Sequence, residues 1–152
     1  MSAIREASVA ATNPLGLDGI EYVEYATASP QAVGHVLEMM GFRPVARHRS
    51  REVLLYRQGT MNVIVNAHPG VVANAAAPVG ATTVRGWRAP AEHPRIAAIA
   101  LRVRDARAAY EFALERGAWE VPMHAQVMEL NIPGVHGPGG AHIYFVDRHK
   151  EF

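Results

Sequence analysis

From Ile20 to Thr27 the chain reads IEYVEYAT, β-branched and aromatic residues mixed with alternating glutamate, the pattern of a strand whose two faces meet different surroundings. Ser29 and Pro30 then supply a helix start, Ala32, Val33, Val36, Leu37 and Met40 fall on one stripe, and Gly41 is the stop. FRPVARH, EVLLYR and MNVIVN read as three short strands, the last two joined at Gln58-Gly59-Thr60 as a hairpin. The first half is therefore β-α-β-β-β. The pattern recurs in the second half. Ile96 opens the strand IAAIALRV, Asp105 takes the N-cap place of Ser29, Ala109, Phe112 and Ala113 form a stripe, and Gly117 is the stop. Each landmark lies 76 residues after its partner: Ile20 and Ile96, Ser29 and Asp105, Gly41 and Gly117. The expectation is an α+β fold of two repeated βαβββ modules.

The organisation follows from the repeat. Residues 1–16 are small and polar without a period and read as a loose arm ending near the turn pair Asn13-Pro14; module one is 17–67 and module two 94–152. The alanine, proline and glycine-rich stretch between them, 68–93, reads as a linker crossing the surface. Set against EVLLYR, the strand AHIYFVD runs into Arg148-His149-Lys150-Glu151 and the sequence stops at Phe152. The last strand of module two is thus expected to be absent, leaving Ala141 to Asp147 with an open edge.

Composition narrows the class. With 152 residues, 49% hydrophobic and 19% charged, the chain can bury a core and is one domain, or two small halves sharing one. Fifteen Lys+Arg against fourteen Asp+Glu, a formal charge of +1, lack the basic excess that a nucleic-acid backbone rewards. No apolar run approaches the ~20 residues that span a bilayer, and the start lacks the apolar core of a secretory signal, so a cytoplasmic protein with no membrane partner is expected. Cysteine is absent, so any metal would be held by carboxylates and the eight histidines.

Two βαβββ modules resemble the vicinal oxygen chelate superfamily of glyoxalases, bleomycin-resistance proteins and extradiol dioxygenases. The strings NPLGLDGIEYVEYATASP, MGFRPVARHRSREVLLYRQGTMNVIVN, ALRVRDARAAYEFALERGA and MELNIPGVHGPGGAHIYFVDR, in that order, are similar to the amino-terminal half of the 4-hydroxyphenylpyruvate dioxygenases, with the hydroxymandelate synthases as close relatives. The resemblance covers roughly Asn13 to Phe152. It implies an enzyme that converts 4-hydroxyphenylpyruvate and O2 to homogentisate and CO2 in tyrosine catabolism, through a non-haem Fe(II). The three iron ligands, two histidines and a glutamate, and the substrate-holding residues belong to the carboxyl-terminal half, so no residue here inherits a ligand or catalytic role. The implied partners are that catalytic half and further subunits of a homo-oligomer.

The chain's own residues agree with a domain that holds no cofactor. Metal-binding modules of the superfamily place His on the first strand and Glu on the closing strand; the first-strand places here read as Tyr22 and Ala98, and MNVIVN offers asparagines. His35, His48, His68, His93 and His149 read as solvent-facing. His124, His136 and His142 are separated by Pro133, Gly134, Pro138, Gly139 and Gly140, which read as a long loop that does not aim their rings together. The turn His48-Arg49-Ser50-Arg51 reads as solvated. Strand parity sets Tyr22 and Glu24 on one face, with Ala98, Ala100 and Arg102 beside them by the same offset. Tyr22, Glu24 and Arg102 are the candidate cavity-lining residues, and Glu24 and Arg102 are expected to form an ion pair plugging the cavity.

The leading functional reading is the structural, subunit-contacting, non-metal-binding half of an Fe(II)-dependent 4-hydroxyphenylpyruvate dioxygenase. The alternative is a stand-alone small-ligand-binding protein of the glyoxalase and bleomycin-resistance type. A metal-dependent lyase or isomerase is a weaker third, since it needs ligands that the sequence does not offer.

Overall fold

A computed structural model describes residues 12–76, 93–122 and 132–147. Residues 1–11 of the expected arm, much of the linker, His124 and the stretch after Asp147 lie outside the described residues. The elements are β1 (Leu17–Ala26), α1 (Pro30–Met39), β2 (Arg43–Arg47), β3 (Val53–Gln58), β4 (Met61–Asn66), α2 (Pro69–Ala76), β5 (Arg95–Val103), α3 (Ala106–Glu115), β6 (Gly134–His136) and β7 (His142–Val146). A 3-10 turn at Pro138–Gly140 joins the last two strands. The strands form one sheet in the order β2-β3-β4-β1-β5-β7-β6. Helix α2 falls inside the stretch that the sequence reads as an unstructured linker, where Pro69 opens eight residues of small, apolar composition.

Both modules have the same wiring. In module one β1 pairs parallel with β4, and β4 runs antiparallel to β3, which pairs with β2. In module two β5 pairs parallel with β7, and β7 antiparallel with β6. The closing strand of module two is therefore present, correcting the expectation of a missing last strand. AHIYFVD is the counterpart of MNVIVN, not of EVLLYR. It lies between β5 and β6, so 141–147 is not an open edge. The constant offset hid this: Ala98 lies 76 residues after Tyr22, but His142, which faces Ala98 as Asn62 faces Tyr22, lies 80 after Asn62. The reduced element in module two is the second strand, which among the described residues survives as a bridge between Glu120 and Val135.

The modules join through β1 and β5, paired antiparallel with Tyr22 opposite Ala100, Val23 opposite Ile99 and Glu24 opposite Ala98. One face of the sheet carries two apolar clusters. Leu37 of α1 packs with Phe42, Tyr56, Val63 and Val65. Ala106 and Ala109 of α3 pack with Val103, Val135 and Phe145, and Leu15, just before β1, crosses to this second cluster. The buried part of α1 is narrower than its sequence stripe: Gly34 and Leu37 are buried, while Val36 and Met40 are exposed. Asp105 caps α3 by accepting from Ala108 N–H at 2.9 Å, whereas Ser29 makes no side-chain cap and its own N–H donates to Thr27 Oγ1.

Candidate functional site

Alternate residues of the central strands point to the face opposite α1 and α3. Two rows cross it. In one, His136 is opposite His142, His142 opposite Ala98, Ala98 opposite Glu24, and Glu24 opposite Ile64. In the other, Gly134 is opposite Tyr144, then come Ala100, Tyr22 and Asn62. Ala98 and Ala100, 2% and 0% exposed, make a floor of methyl groups. Tyr22 and Glu24 rise on one side of it and Tyr144 and His142 on the other, two strand spacings or about 10 Å apart. The floor is covered from solvent, so no open hollow stands over it.

Hydrogen bonds fix its walls. Asn66 Nδ2 donates to Glu24 Oε1 at 2.8 Å, and Asn62 Nδ2 donates to the Glu21 carbonyl at 3.1 Å while its Oδ1 accepts from Arg57 Nε at 2.8 Å. The Tyr144 hydroxyl and His142 Nδ1 share a bond of 3.2 Å, and the His142 ring stands edge-on to His136 at 5.2 Å between centroids. Beyond His136 opens a cleft lined by Trp119, Gly117, Gly137, Gly139 and Gly140.

Burial sets the protonation of these groups. It pushes the Tyr22 phenol well above its ordinary value, with Glu24, Tyr144 and Glu21 adding to the effect. Burial also raises Glu24 above its ordinary 4.5, against the Asn66 hydrogen bond. Tyr144 is raised by burial and then by Glu24, and His142 is lowered below 6.5 by burial and then by His136. The folded state thus holds the Glu24 proton more tightly than the unfolded chain does, so Glu24 lowers stability as pH rises from 4.5 through its raised folded value. His142 has the opposite sign: stability falls as pH drops from 6.5 through its lowered folded value. Glu24→Gln is expected to lose less stability than the parent between about pH 4 and about pH 8, followed by urea unfolding. A parallel pair of curves would show that Glu24 is not desolvated.

Tyr22, Glu24 and Arg102 all stand on this face, but the expected Glu24–Arg102 ion pair is not formed. Arg102 instead pairs with Glu21, Nη2 to Oε2 at 2.8 Å, with Nε donating to the same oxygen at 2.9 Å. The cause is a bulge: Ile20 is opposite Leu101 and Tyr22 opposite Ala100, so Glu21 is an extra residue. In a bulge the added residue escapes the alternation, which lets Glu21 reach the arginine on the face that simple parity gives to Tyr22. The loop reading of the histidines is also corrected. His136 and His142 are cross-strand partners in the β6–β7 hairpin. Two histidines flanking Gly-Pro-Gly-Gly, each beside β-branched or aromatic residues, were the available signal, and with Tyr144 they complete the wall that strand parity in module one alone could not show.

These donors do not make an iron site of two histidines and a carboxylate. His136 and His142 lie together, but Glu24 stands across the alanine floor, and among the described residues no three His, Cys, Asp or Glu side chains are grouped to hold a metal.

Comparison with known proteins places the chain. Residues 11–152 match the family described as hydroxyphenylpyruvate dioxygenase, HPPD, N-terminal. The chain is 42% identical over 140 residues to 4-hydroxyphenylpyruvate dioxygenase from Pseudomonas sp. (strain P.J. 874), covering 91% of this chain and 36% of that protein. It is also 42% identical over 144 residues to hemolysin VllY from Vibrio vulnificus (strain CMCP6), covering 93% of this chain and 37% of that one. Among solved structures, a xylose isomerase-like TIM barrel/4-hydroxyphenylpyruvate dioxygenase fusion protein superposes with a TM-score of 0.71 at 29% identity, over 90% of this chain and 20% of that chain. The chain spans a little over a third of the length of these curated relatives. With the repeated modules, the sheet order and a match over almost every residue, the chain belongs to the hydroxyphenylpyruvate dioxygenase amino-terminal family.

Proposed function

We propose that the chain serves as the non-metal-binding, structural half of an Fe(II)-dependent enzyme that converts 4-hydroxyphenylpyruvate and O2 to homogentisate and CO2 in tyrosine catabolism. In this reading it carries the carboxyl-terminal catalytic half, contributes contacts between subunits of a homo-oligomer, and works in the cytoplasm. The observation that carries the reading is the family match over 11–152 by a chain spanning little more than a third of its relatives. The donor set supports it: among the described residues Glu24 stands apart from the histidine pair on the far face, and Glu21 is held by Arg102. No helix among the described residues is long and apolar enough to cross a membrane.

The 152-residue chain, purified alone, is expected to bind no stoichiometric Fe(II) and to consume no oxygen with 4-hydroxyphenylpyruvate. Intact mass and iron content of the native protein are measured alongside. About one iron per 152-residue chain, with turnover, would overturn the assignment.

A further inference from the structure

We infer that the cleft between Trp119 and the Gly137–Gly140 turn is a binding site for a small, uncharged, planar aromatic ligand that carries a hydroxyl group. This goes beyond the structural role proposed above and does not rest on it. The cleft has a volume of about 330 Å³, within the range of small-molecule sites and about twice the cavity that holds a benzene. The bridge between Glu120 and Val135 sets Trp119 opposite His136, whose backbone N–H donates to the Trp119 carbonyl at 2.8 Å. Residues opposite each other across strands share a face, so the indole and the imidazole rise together. Facing them the chain turns through Pro138–Gly140, closed by the Gly137 N–H donating to the Ala141 carbonyl at 2.7 Å. A Cβ added at Gly139 would meet nothing within 4 Å, so no neighbouring side chain fills the space beside the turn.

The lining sets the chemistry of the occupant. Trp119 is 72% exposed and belongs to neither apolar cluster of the core. A rigid indole at the mouth of a cleft offers a large flat apolar surface at little ordering cost. The glycines opposite carry no side chain, which leaves room for a ring to lie flat against the indole. The Trp119 indole N–H and the His136 imidazole form no hydrogen bond with the described residues, and the His136 ring meets its neighbour His142 edge-on. Both are left for a polar group on the edge of the ligand. Among the described residues no acid, lysine or arginine lines the cleft, so a charged ligand would be desolvated without a counter-ion. A saturated ligand of the same outline would forgo the ring stacking.

The test uses the full natural protein labelled with 5-fluorotryptophan, in which the Trp119 fluorine resonance, identified by its absence from Trp119→Phe, reports this cleft directly. The probe is 2-naphthol, compared with naphthalene, which lacks the hydroxyl, and with decahydro-2-naphthol, which lacks the aromatic rings. 2-Naphthol is expected to shift the Trp119 resonance saturably. It is expected to bind about tenfold more tightly than decahydro-2-naphthol, the scale of a stacked ring pair, and about fivefold more tightly than naphthalene, the scale of one hydrogen bond. His136→Phe, read at the same resonance, is expected to bind 2-naphthol and naphthalene equally. Trp119→Ala is expected to weaken 2-naphthol binding at this site by about tenfold or more in isothermal titration. No saturable shift, equal binding of 2-naphthol and its saturated analogue, a titration unchanged in Trp119→Ala, or a hydroxyl preference that survives in His136→Phe would each overturn the proposal. Thermal unfolding of each variant reports its fold, and the exposure of Trp119 separates loss of the site from loss of structure.

Discussion

Phe145→Ala is expected to lower the free energy of unfolding by about 3–5 kcal/mol, the cost of emptying a large aromatic site in a packed core. Phe145 is 2% exposed and packs with Val103, Ala109 and Val135 under α3. The size of the effect depends on where β7 sits. Flanked by β5 and β6 and covered by α3, the strand cannot relax into the hole, because its neighbours on both sides hold it in register. A frayed edge strand would collapse or detach locally and lose much less. Urea unfolding of parent and variant measures it, and a loss under about 1 kcal/mol would show that β7 is not seated between its neighbours.

The second expected result runs against helix propensity. Gly34 lies inside α1, where alanine would ordinarily be better by about 1 kcal/mol. A Cβ at that position would collide with the hydroxyl of Tyr56, a core residue that is 5% exposed and has no room to retreat. Overpacking of this kind costs about 1–3 kcal/mol, so Gly34→Ala is expected to be net destabilising despite the better helix former. Removing the hydroxyl should relieve much of that cost. In a Tyr56→Phe background the same change is expected to cost clearly less, because the nearest remaining atom, the ring Cζ, lies 3.2 Å from the added Cβ, a tight contact in place of a collision. Thermal unfolding of the four proteins in the cycle decides it, and additive effects would show that Gly34 is not there for Tyr56.

The framework was legible because it is written in short-range signals. The Ser29 and Asp105 helix starts, the Gly41 and Gly117 stops and the Gln58-Gly59-Thr60 hairpin all appear where local chemistry places them. What local pattern conceals depends on residues that break a period. Four extra residues before β7 defeat a fixed repeat offset, so the closing strand took the place of its neighbour. One extra residue at Glu21 defeats strand parity, which by itself assigns Glu24 as the partner of Arg102. Glycine and proline around His136 and His142 read as loop because composition does not distinguish a long connection from a tight hairpin between very short strands. Half of the far-face cluster, Tyr22 and Glu24, follows from parity; the facing half needs the register of β7, which no local pattern supplies.

The pairing of β1 with β5 bears on how so unequal a seam arises. Tyr22 and Glu24 repeat as Ala98 and Ala100, and across the seam Tyr22 faces Ala100 while Glu24 faces Ala98. The two strands are thus related by a local dyad through Val23 and Ile99, the isologous contact that two separate copies of one module would make. Between identical copies every substitution appears twice, and a bulky residue on one strand confronts its own duplicate on the other. Once both modules are encoded in one chain, each side of the dyad can drift alone. One side can shrink to alanine while the other keeps tyrosine and glutamate, so covalent fusion makes possible a lopsided, filled seam that a symmetric pair is forbidden to form.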